Sequence, residues 1–412
     1  MRVLLSTYGS RGDVEPMAGL GVALQALGVE AVVSAPPDEE FQTLLARAGV
    51  PLAPAFMGVR DWIEWARQSG LSLPQFAPKM ITGQYDTIAT VADGCDAIVS
   101  TGLFPSTEAA HCVAEKLGLH YACVAFCPLS LPSHHHRPCP RPGHPLPPEV
   151  TDPRALWALN GQHMNALFGE AINTQRASIG SSALDNVRDA VFTVHPLLAS
   201  DPVLWPWEPT DLCDPVQTGA WILPDNRPLR ADLEAFLSAG EPPIYVGFGS
   251  IALQTAKNAA LVAIHAVRAQ GRRVVLAHGW AEAAQIDDGD DCFLIGDVNQ
   301  QKLFPRVAAV VHHGGAGTTT TAARAGASQV IVPQIVDQPY WAAHVEALGI
   351  GVSHEGPSPT FESLSAALSA ALKPGTRACA RAVAGTIRID GAMNAAKLLV
   401  DAVVRKSPSR SG

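Results

Sequence analysis

Short apolar runs alternate with segments of helical periodicity over the first part of the chain. After the first run, apolar residues such as Met17, Leu20 and Leu24 recur on one face at helical spacing. Short apolar strands that alternate with amphipathic helices pair in parallel, each helix forming the crossover between two strands. The pattern therefore predicts a doubly wound α/β domain. The predicted strands and helices follow one another at 3–7, 17–27, 30–34, 97–101, 107–117 and 121–126.

A second alternation of the same type begins near residue 244 and predicts another α/β domain. The stretch 199–218 between the two alternations contains four prolines, which interrupt regular structure. We therefore expect an N-terminal domain over 1–200, a linker over 201–218 and a C-terminal domain over 219–392. The elements predicted in the second alternation lie at 244–248, 259–270, 274–277, 307–311, 317–325 and 330–333.

Two segments lack a clear period. Residues 128–148 contain eight prolines and the triplet His134, His135 and His136, a composition that predicts a loop. Residues 56–81 carry more large apolar side chains, among them two tryptophans, than an exposed loop usually does. That segment either lines a pocket or forms a pair of packed helices.

Length and composition restrict the class of protein. A chain of 412 residues, 47% hydrophobic and 16% charged, has enough material for two or three globular domains. Its net charge of −9 disfavours nucleic acid and anionic lipid as partners. The eight cysteines form no C-x-x-C pair, as expected in a reducing compartment. We find neither a secretory signal nor an apolar run long enough for a membrane span, so the expected location is the cytoplasm.

The first predicted strand ends in a turn of small and polar residues that includes Gly9, Ser10, Arg11 and Asp13. Open α/β sheets bind ligands at the carboxyl ends of their strands, so a site is favoured here. The start of a helix stabilises the Asp13 carboxylate as the anion, the form in which a general base accepts a proton from a hydroxyl. Alternatively, Asp13 caps the helix and has no chemical role.

A longer turn of small residues follows the strand predicted at 307–311. Small side chains leave backbone N–H groups uncovered, and the dipole of the following helix favours an anion such as a diphosphate. His313 can donate a hydrogen bond to a phosphate oxygen and so stabilise charge on a leaving group. The alternative is an ordinary capped helix with core histidines. The turn and the first residues of the helix are His312, His313, Gly314, Gly315, Ala316, Gly317 and Thr318.

Two further strand ends carry weaker signals. Gly247 and Ser250 repeat the arrangement of a strand followed by glycine, and Ser250 suits either a phosphate contact or a helix cap. Asp337 and Gln338 combine acceptors and donors that suit sugar hydroxyls. An ordinary turn would contain the same two residue types.

Other chemistries are disfavoured by the motifs that the chain lacks. Adjacent histidines at 134–136 do not readily converge on one ion, and Cys127 and Cys139 complete no set of four ligands, so we predict no metal site. The chain has no Walker A loop. Arg11 and Asp13 interrupt the glycine pattern of a dinucleotide fingerprint, which disfavours NAD.

Five motifs along the chain belong together: MRVLLSTYGSRGDVEP at 1–16, VQTGAWIL at 216–223, PIYVGFGS at 243–250, VVHHGGAGT at 310–318 and DQP at 337–339. They resemble those of the family 1 glycosyltransferases, nearest the bacterial enzymes that glycosylate glycopeptide, polyketide and macrolide natural products. The resemblance runs from Met1 to about Val404. It implies the GT-B fold, in which two Rossmann-like doubly wound domains face each other across a cleft. In relatives the last helix crosses back to the N-terminal domain, and 393–412 is expected to contain that helix and a tail.

The resemblance also implies a role for each motif. The N-terminal domain would bind the acceptor, and Asp13 would deprotonate its hydroxyl for direct, inverting attack on the anomeric carbon, with no metal or other cofactor. The C-terminal domain would bind the nucleotide sugar. The residues implied for the diphosphate are His313, Gly314, Gly315, Ala316, Gly317 and Thr318, with Ser10, Arg11 and Ser250 nearby, while Asp337 and Gln338 would hold the donor sugar.

The chain departs from its relatives in three places, one of which is the loop that contains His134, His135 and His136. Val298 stands where plant members have a tryptophan that stacks on the nucleobase, which implies recognition of the base through backbone groups and apolar contact. Residues 181–184 read Ser-Ser-Ala-Leu where close relatives commonly have Leu-Pro-Pro-Val.

The expected activity is transfer of a hexose or deoxyhexose from a UDP- or TDP-sugar to a hydroxyl of an apolar natural-product aglycone. A sterol or lipid glucosyltransferase shares the same motifs. A non-catalytic nucleotide-binding partner of another glycosyltransferase would keep the fold, but the presence of Asp13, His313 and Asp337 argues against it. A Rossmann-type oxidoreductase is the weakest hypothesis. The donor sugar, the acceptor and the oligomeric state stay open.

Overall fold

The computed structural model describes residues 1–141, 143–192, 196–248, 253–277 and 289–406, with only the backbone of residues 73, 253–259 and 406. The chain divides into two compact units. The first unit contains Met1–Pro202, Pro206–Leu223 and Arg388–Gly412, and the second contains Val203–Trp205 and Pro224–Ile387.

The first unit is built on a seven-stranded sheet in which every pair of neighbouring strands is parallel. Its strands are β1 (Arg2–Tyr8), β2 (Glu30–Ala35), β3 (Leu52–Pro54), β4 (Ala97–Gly102), β5 (His120–Ala125), β6 (Leu197–Leu198) and β7 (Val216–Gln217). The order across the sheet is β3-β2-β1-β4-β5-β6-β7. In the centre, Leu5 lies opposite Val33 on one side and Val99 on the other. Apolar helices cover both faces, as a parallel sheet requires.

Nine helices of the first unit lie within the described residues. They are α1 (Arg11–Ala26), α2 (Glu39–Ala48), α3 (Val59–Ser69), α4 (Leu73–Ala92), α5 (Phe104–Leu117), α6 (Pro153–Met164), α7 (Glu170–Ser178), α8 (Val187–Phe192) and α16 (Gly391–Lys406), and a π turn at Asn165–Gly169 joins α6 to α7. The sequence predicted the start of α5 at 107, but the helix begins at Phe104 because Pro105 fits the first helical turn.

The second unit contains a six-stranded parallel sheet of order β10-β9-β8-β11-β12-β13. The strands are β8 (Ile244–Gly247), β9 (Val274–Ala277), β10 (Cys292–Ile295), β11 (Ala309–His312), β12 (Ser328–Ile331) and β13 (Gly351–Ser353). The helices are α9 (Ala231–Ser238), α10 (Leu253–Ala269), α11 (Gln300–Leu303), α12 (Ala316–Arg324), α13 (Gln338–Ala347), α14 (Phe361–Ala371) and α15 (Pro374–Ala384).

The predicted fold class, two doubly wound α/β sheets, is confirmed. Residues 56–81 form α3 and the first part of α4, so the alternative of packed helices describes this segment. In the described part of 128–148 the helical structure is a three-residue 3-10 helix, Pro128–Ser130. All eight cysteines are free thiols. Among the described helices, none has both the length and the apolar character that crossing a membrane needs.

The boundaries of the two units differ from the expected linker and last domain. Residues 206–223 belong to the first unit, and the three residues Val203–Trp205 belong to the second. The chain returns to the first unit at Arg388, before the expected residue 393. The backbone N–H of Arg388 donates to the buried carboxylate of Asp201 at 2.8 Å, which fixes the point of return.

Helix α16 packs against α1 in the main apolar cluster of the first unit. Ala395 and Leu399 of α16 share this cluster with Met17 and Leu20 of α1. The start of α16 makes a close approach to the backbone of residues 219–220 at Gly391. Because α16 contributes to the main core, we expect its loss to destabilise the whole unit.

Gly391→Ala should destabilise the first unit. A Cβ atom at residue 391 would lie 2.4 Å from the carbonyl oxygen of Ala220, and backbone cannot move aside as a flexible side chain can. We expect the free energy of unfolding in urea to fall by about 2 kcal/mol. Gly375→Ala in α15 is the matched control, since its Cβ would meet nothing within 4 Å. Equal losses in the two variants would contradict the close packing at residue 391.

Candidate active site

The strand order of each sheet reverses at one point. The reversal lies between β1 and β4 in the first unit and between β8 and β11 in the second. Open α/β sheets bind ligands beyond the carboxyl ends of the strands at such points, because the crossover connections diverge there. The turns from β1 to α1 and from β11 to α12 both follow strands that border a reversal. They are the turns in which the sequence predicts the general base Asp13 and the diphosphate contacts around His313.

The turn after β1 is a capping box. Ser10 is the N-cap of α1, and its Oγ accepts from the backbone N–H of Gly12 at 3.3 Å. The Oδ2 atom of Asp13 accepts from the backbone N–H of Ser10 at 2.8 Å and lies 3.3 Å from the Ser10 Oγ. Asp13 therefore takes part in capping the helix as the N3 partner of the N-cap Ser10. Its side chain is half-buried and held at a defined position at the helix start.

Gly9 leaves room for the Asp13 carboxylate. A Cβ atom at residue 9 would lie 2.2 Å from the Oδ2 of Asp13, so any larger residue would displace the carboxylate. At the start of α1, the Nε of Arg11 donates to the Oε2 of Glu15, four residues later, at 2.6 Å. The structure thus gives Arg11 an ion-pair partner within α1, in addition to the phosphate contact that the resemblance implies.

His312 fixes the backbone after β11. Its Nδ1 accepts from the backbone N–H of Gly314 at 3.1 Å, so the ring proton must lie on Nε2. The Nε2 atom lies 2.9 Å from the side-chain oxygen of Gln329 in β12 and therefore donates to it. Burial, with a contribution from His313, lowers the pKa of His312 to about 3, although the Gln329 hydrogen bond acts in the opposite direction. The ring is neutral at neutral pH.

His313 differs from its neighbour because one of its nitrogens lacks a partner. Its Nδ1 is buried and accepts or donates no hydrogen bond within the described residues. Burial lowers the pKa of His313 to about 4, so this ring is also neutral at neutral pH. A Cβ atom at Gly315 would lie 2.7 Å from the Nε2 of His313, which shows that the ring lies over this glycine. An unsatisfied buried nitrogen beside a turn is a candidate ligand contact.

Helix α12 begins without a side-chain cap, because its N-cap is Gly315. Gly314 has φ +93°, and a Cβ atom there would lie 2.7 Å from the Cγ2 of Ile331. Ala316 and Gly317 start the helix, and the half-buried Thr318 follows. The next three hydroxyls, of Thr319, Thr320 and Thr321, donate to the carbonyl oxygens four residues earlier at 2.8–2.9 Å. Backbone N–H groups are therefore the main donors that this helix start offers to an anion.

Asp337 and Gln338 lie at the start of α13, and each makes defined contacts in the second unit. The Asp337 Oδ2 accepts from the indole N–H of Trp341 at 2.8 Å. The side-chain oxygen of Gln338 accepts from the backbone N–H groups of Gln334 and Ile335 at 2.8 and 3.1 Å. The loop that they hold includes Val336, a β-branched residue with φ +55°. Such a backbone is strained and needs support from its surroundings.

The last two predicted contacts of the nucleotide have different outcomes. Ser250 lies outside the described residues. Val298 is half-buried and lines a cavity of about 160 Å³. Its neighbour Asn299 caps α11 by accepting from the N–H of Lys302 at 3.0 Å and donates to the carbonyl oxygen of Asp225 at 2.8 Å. The backbone around Val298 is therefore firmly held.

The histidine triplet makes separate contacts. His134 Nδ1 lies 2.9 Å from the Thr210 hydroxyl, and His135 Nε2 lies 2.9 Å from the carbonyl oxygen of Pro209. His136 Nε2 lies 3.0 Å from the carbonyl oxygen of Leu131. Among the residues that the structure describes, no three histidine, cysteine or acidic side chains are placed to hold a metal ion.

Two contacts of the candidate site were missed by the sequence analysis. Gln329, the partner of His312, lies in the neighbouring strand, and no local signal connects the two residues. Trp341 stands four residues after Asp337, and helical spacing could have predicted that contact. Ser10 and Asp13 also have the spacing of a capping box, which identifies Ser10 as the cap.

Comparisons with known proteins agree with this architecture. A family profile described as "Erythromycin biosynthesis protein CIII-like, C-terminal domain" matches residues 273–395. The chain is 52% identical to "Glycosyltransferase GtfE" of Amycolatopsis orientalis over 411 residues, with 99% of each chain covered. It is 50% identical to "Vancomycin aglycone glucosyltransferase" of the same organism over 412 residues, with both chains fully covered.

The fold also matches a solved glycosyltransferase. The crystal structure of the glycotransferase of kitacinnamycin superimposes with a TM-score of 0.72 at 17% identity, covering 98% of this chain and 99% of the other. Two parallel α/β sheets matched over that length define the GT-B fold. Given the full-length identities above, the chain belongs to the family 1 glycosyltransferases.

Stability should fall as pH is lowered, because His312 is buried and His313 is half-buried, both as neutral rings. Their pKa values are about 3 and about 4 in the folded protein, below the ordinary value of 6.5 that the unfolded chain regains. The unfolded state therefore binds more protons below pH 6.5, and stability that is fully present above that pH is lost as pH falls. Each ring contributes a slope of up to about 1.4 kcal/mol per pH unit.

His313→Gln isolates one of these contributions. The slope of unfolding free energy between about pH 6 and pH 4.5 should become shallower by roughly 1 kcal/mol per pH unit, because most of one proton is no longer taken up on unfolding. Urea titrations of wild type and variant at each pH measure the difference. Parallel curves for the two proteins would show that His313 is not held neutral by burial.

Proposed function

We propose that this protein is an inverting glycosyltransferase that moves a hexose or deoxyhexose from a UDP- or TDP-sugar to a hydroxyl of a glycopeptide aglycone. The observation that carries the acceptor class is the 50% identity, over the full length of both chains, to the vancomycin aglycone glucosyltransferase. Eight free thiols suit a reducing compartment, so we place the enzyme in the cytoplasm.

Asp13 is the general base in this mechanism. The acceptor oxygen attacks the anomeric carbon, its proton passes to the Asp13 carboxylate, and the bond between the anomeric carbon and the diphosphate oxygen breaks. A base that removes a proton in the transition state must be held within hydrogen-bond reach of it. The backbone N–H of Ser10, 2.8 Å from the Asp13 Oδ2, provides that restraint.

The turn after β11 stabilises the departing nucleoside diphosphate. Negative charge develops on the diphosphate oxygen as the bond breaks, and donors fixed in advance at that position lower the barrier. The start of α12, from Gly315 to Thr318, supplies backbone N–H groups and the positive end of the helix dipole. His313 adds a hydrogen bond from its buried Nδ1, for which the described residues provide no partner.

The donor sugar and nucleotide are held by the remaining predicted residues. Asp337 and Gln338 contact sugar hydroxyls, Val298 lies beside the base, and Ser250 approaches the phosphates. Ser10 and Arg11 also contribute to the diphosphate site. The defined positions of Asp13, His313 and Asp337 support an enzyme over a non-catalytic partner that retains only the fold.

Asp13→Asn should reduce kcat for transfer from UDP- or TDP-glucose to vancomycin aglycone by roughly 10²- to 10⁴-fold, the usual contribution of a general base. The amide keeps the shape of the carboxylate but cannot take the proton. Glu39→Gln is the matched control because it removes an exposed carboxylate from the first turn of another helix of the same unit, α2. Turnover by Asp13→Asn at the rate of the control would rule out Asp13 as the base.

His313→Ala should weaken the binding of UDP or TDP, measured by calorimetry, by about 1.5–3 kcal/mol, the range for a hydrogen bond to a charged group. The loss follows because the diphosphate would no longer receive the imidazole N–H. NAD serves as the negative control for nucleotide class. Unchanged affinity in the variant would remove His313 from the diphosphate site, and binding of NAD alone would overturn the transferase proposal.

A further inference from the structure

Trp205 belongs to a three-residue segment of the second unit, although the chain on both sides of that segment belongs to the first. It is the last residue of the segment Val203–Trp205, and only 5% of its surface is exposed. A large aromatic side chain that is buried at such a short crossing must have contacts that stabilise it there. Trp205 makes three ring contacts with helix α13.

The three contacts form an aromatic cover on one stripe of α13. The Trp205 ring stacks on Tyr340 with centroids 5.7 Å apart and planes 10° apart, and it lies 4.9 Å from the ring of His344. It meets Trp341 edge-on at 5.1 Å and 88°. Residues 340, 341 and 344 lie on neighbouring positions of the helix surface, so Trp205 covers them together.

The same stripe carries Asp337. The indole N–H of Trp341 donates to the Asp337 Oδ2 at 2.8 Å, and Trp341 is only 1% exposed. A buried indole has little freedom to turn while its neighbours stay in place, so the direction of its N–H depends on the rings packed against it. Trp205 is one of these rings. The chain of contacts therefore runs from Trp205 through Trp341 to the Asp337 carboxylate.

We propose that Trp205 is a positioning residue for the donor sugar, because it fixes the indole of Trp341 and thereby the Asp337 carboxylate that receives the sugar hydroxyls. The inference rests on the proposed function, which takes Asp337 as a sugar contact. Trp205 touches no substrate itself. It acts on the sugar part of the nucleotide sugar and leaves the diphosphate site at α12 unaffected.

The test compares affinities for UDP-glucose and UDP, or for TDP-glucose and TDP, by calorimetry in Trp205→Ala, Trp205→Phe and Trp341→Phe. We expect Trp205→Ala and Trp341→Phe to weaken nucleotide-sugar binding about tenfold, as for one lost hydrogen bond to a charged group, while binding of the free diphosphate stays at the wild-type value. Trp205→Phe keeps a stacked ring and should recover most of the loss. A double variant that combines Trp205→Ala with Trp341→Phe should lose no more affinity than the weaker-binding single variant, because both changes disrupt one chain of contacts.

Trp221→Phe is the matched control for a damaged core. Trp221 is 3% exposed, and its indole N–H donates to the Thr218 hydroxyl at 3.0 Å, so the change removes an equivalent bond in the first unit. Its ratio of sugar-nucleotide to diphosphate affinity should equal that of wild type. Equal weakening of both ligands in Trp205→Ala, or additive losses in the double variant, would overturn the role of Trp205 while leaving the transferase proposal intact. Failure of wild type to bind either ligand would instead overturn both.

Discussion

The turn after β11 depends on one neutral imidazole. His312 accepts a backbone N–H from Gly314 through one nitrogen and donates to Gln329 through the other, in a site without solvent. A protonated ring could only donate, so it would leave the Gly314 N–H without its acceptor and place an unpaired charge in the core. The backbone path that positions His313 and the start of α12 therefore requires a neutral His312. The low pKa of His312 keeps this ring neutral.

Glycine has the same function at both candidate turns. At Gly9 the missing side chain leaves space for the Asp13 carboxylate, and at Gly315 it leaves space for the His313 ring. In each case the polar group lies over bare backbone at the end of a parallel strand, close to where a ligand would bind. A residue with a Cβ atom at either position would have to displace the polar group. These glycines are thus required by side chains and not only by turn conformation.

Periodicity was sufficient to predict the two sheets, because parallel strands and crossover helices leave a strong local pattern. It was less successful at the boundaries of the units. The prolines of 201–218 indicate irregular structure, but they do not reveal that Val203–Trp205 leaves the first unit while 206–223 remains in it. That distribution depends on contacts of Trp205 with residues more than a hundred positions later. The Gln329 partner of His312 lay beyond prediction for the same reason, since only pairing of β11 with β12 brings the two together.

The cap and the proposed base at Asp13 are compatible, although they first stood as alternatives. A carboxylate held by a backbone N–H cannot rotate freely, so less entropy is lost when an acceptor hydroxyl approaches it. The same contact also makes the carboxylate a weaker base, because a proton on the carboxylate would weaken its attraction to the helix start. For the proposed displacement, a fixed base position matters more than high basicity, since the proton leaves as the anomeric bond forms. The capping box formed by Ser10 and Asp13 supplies that fixed position.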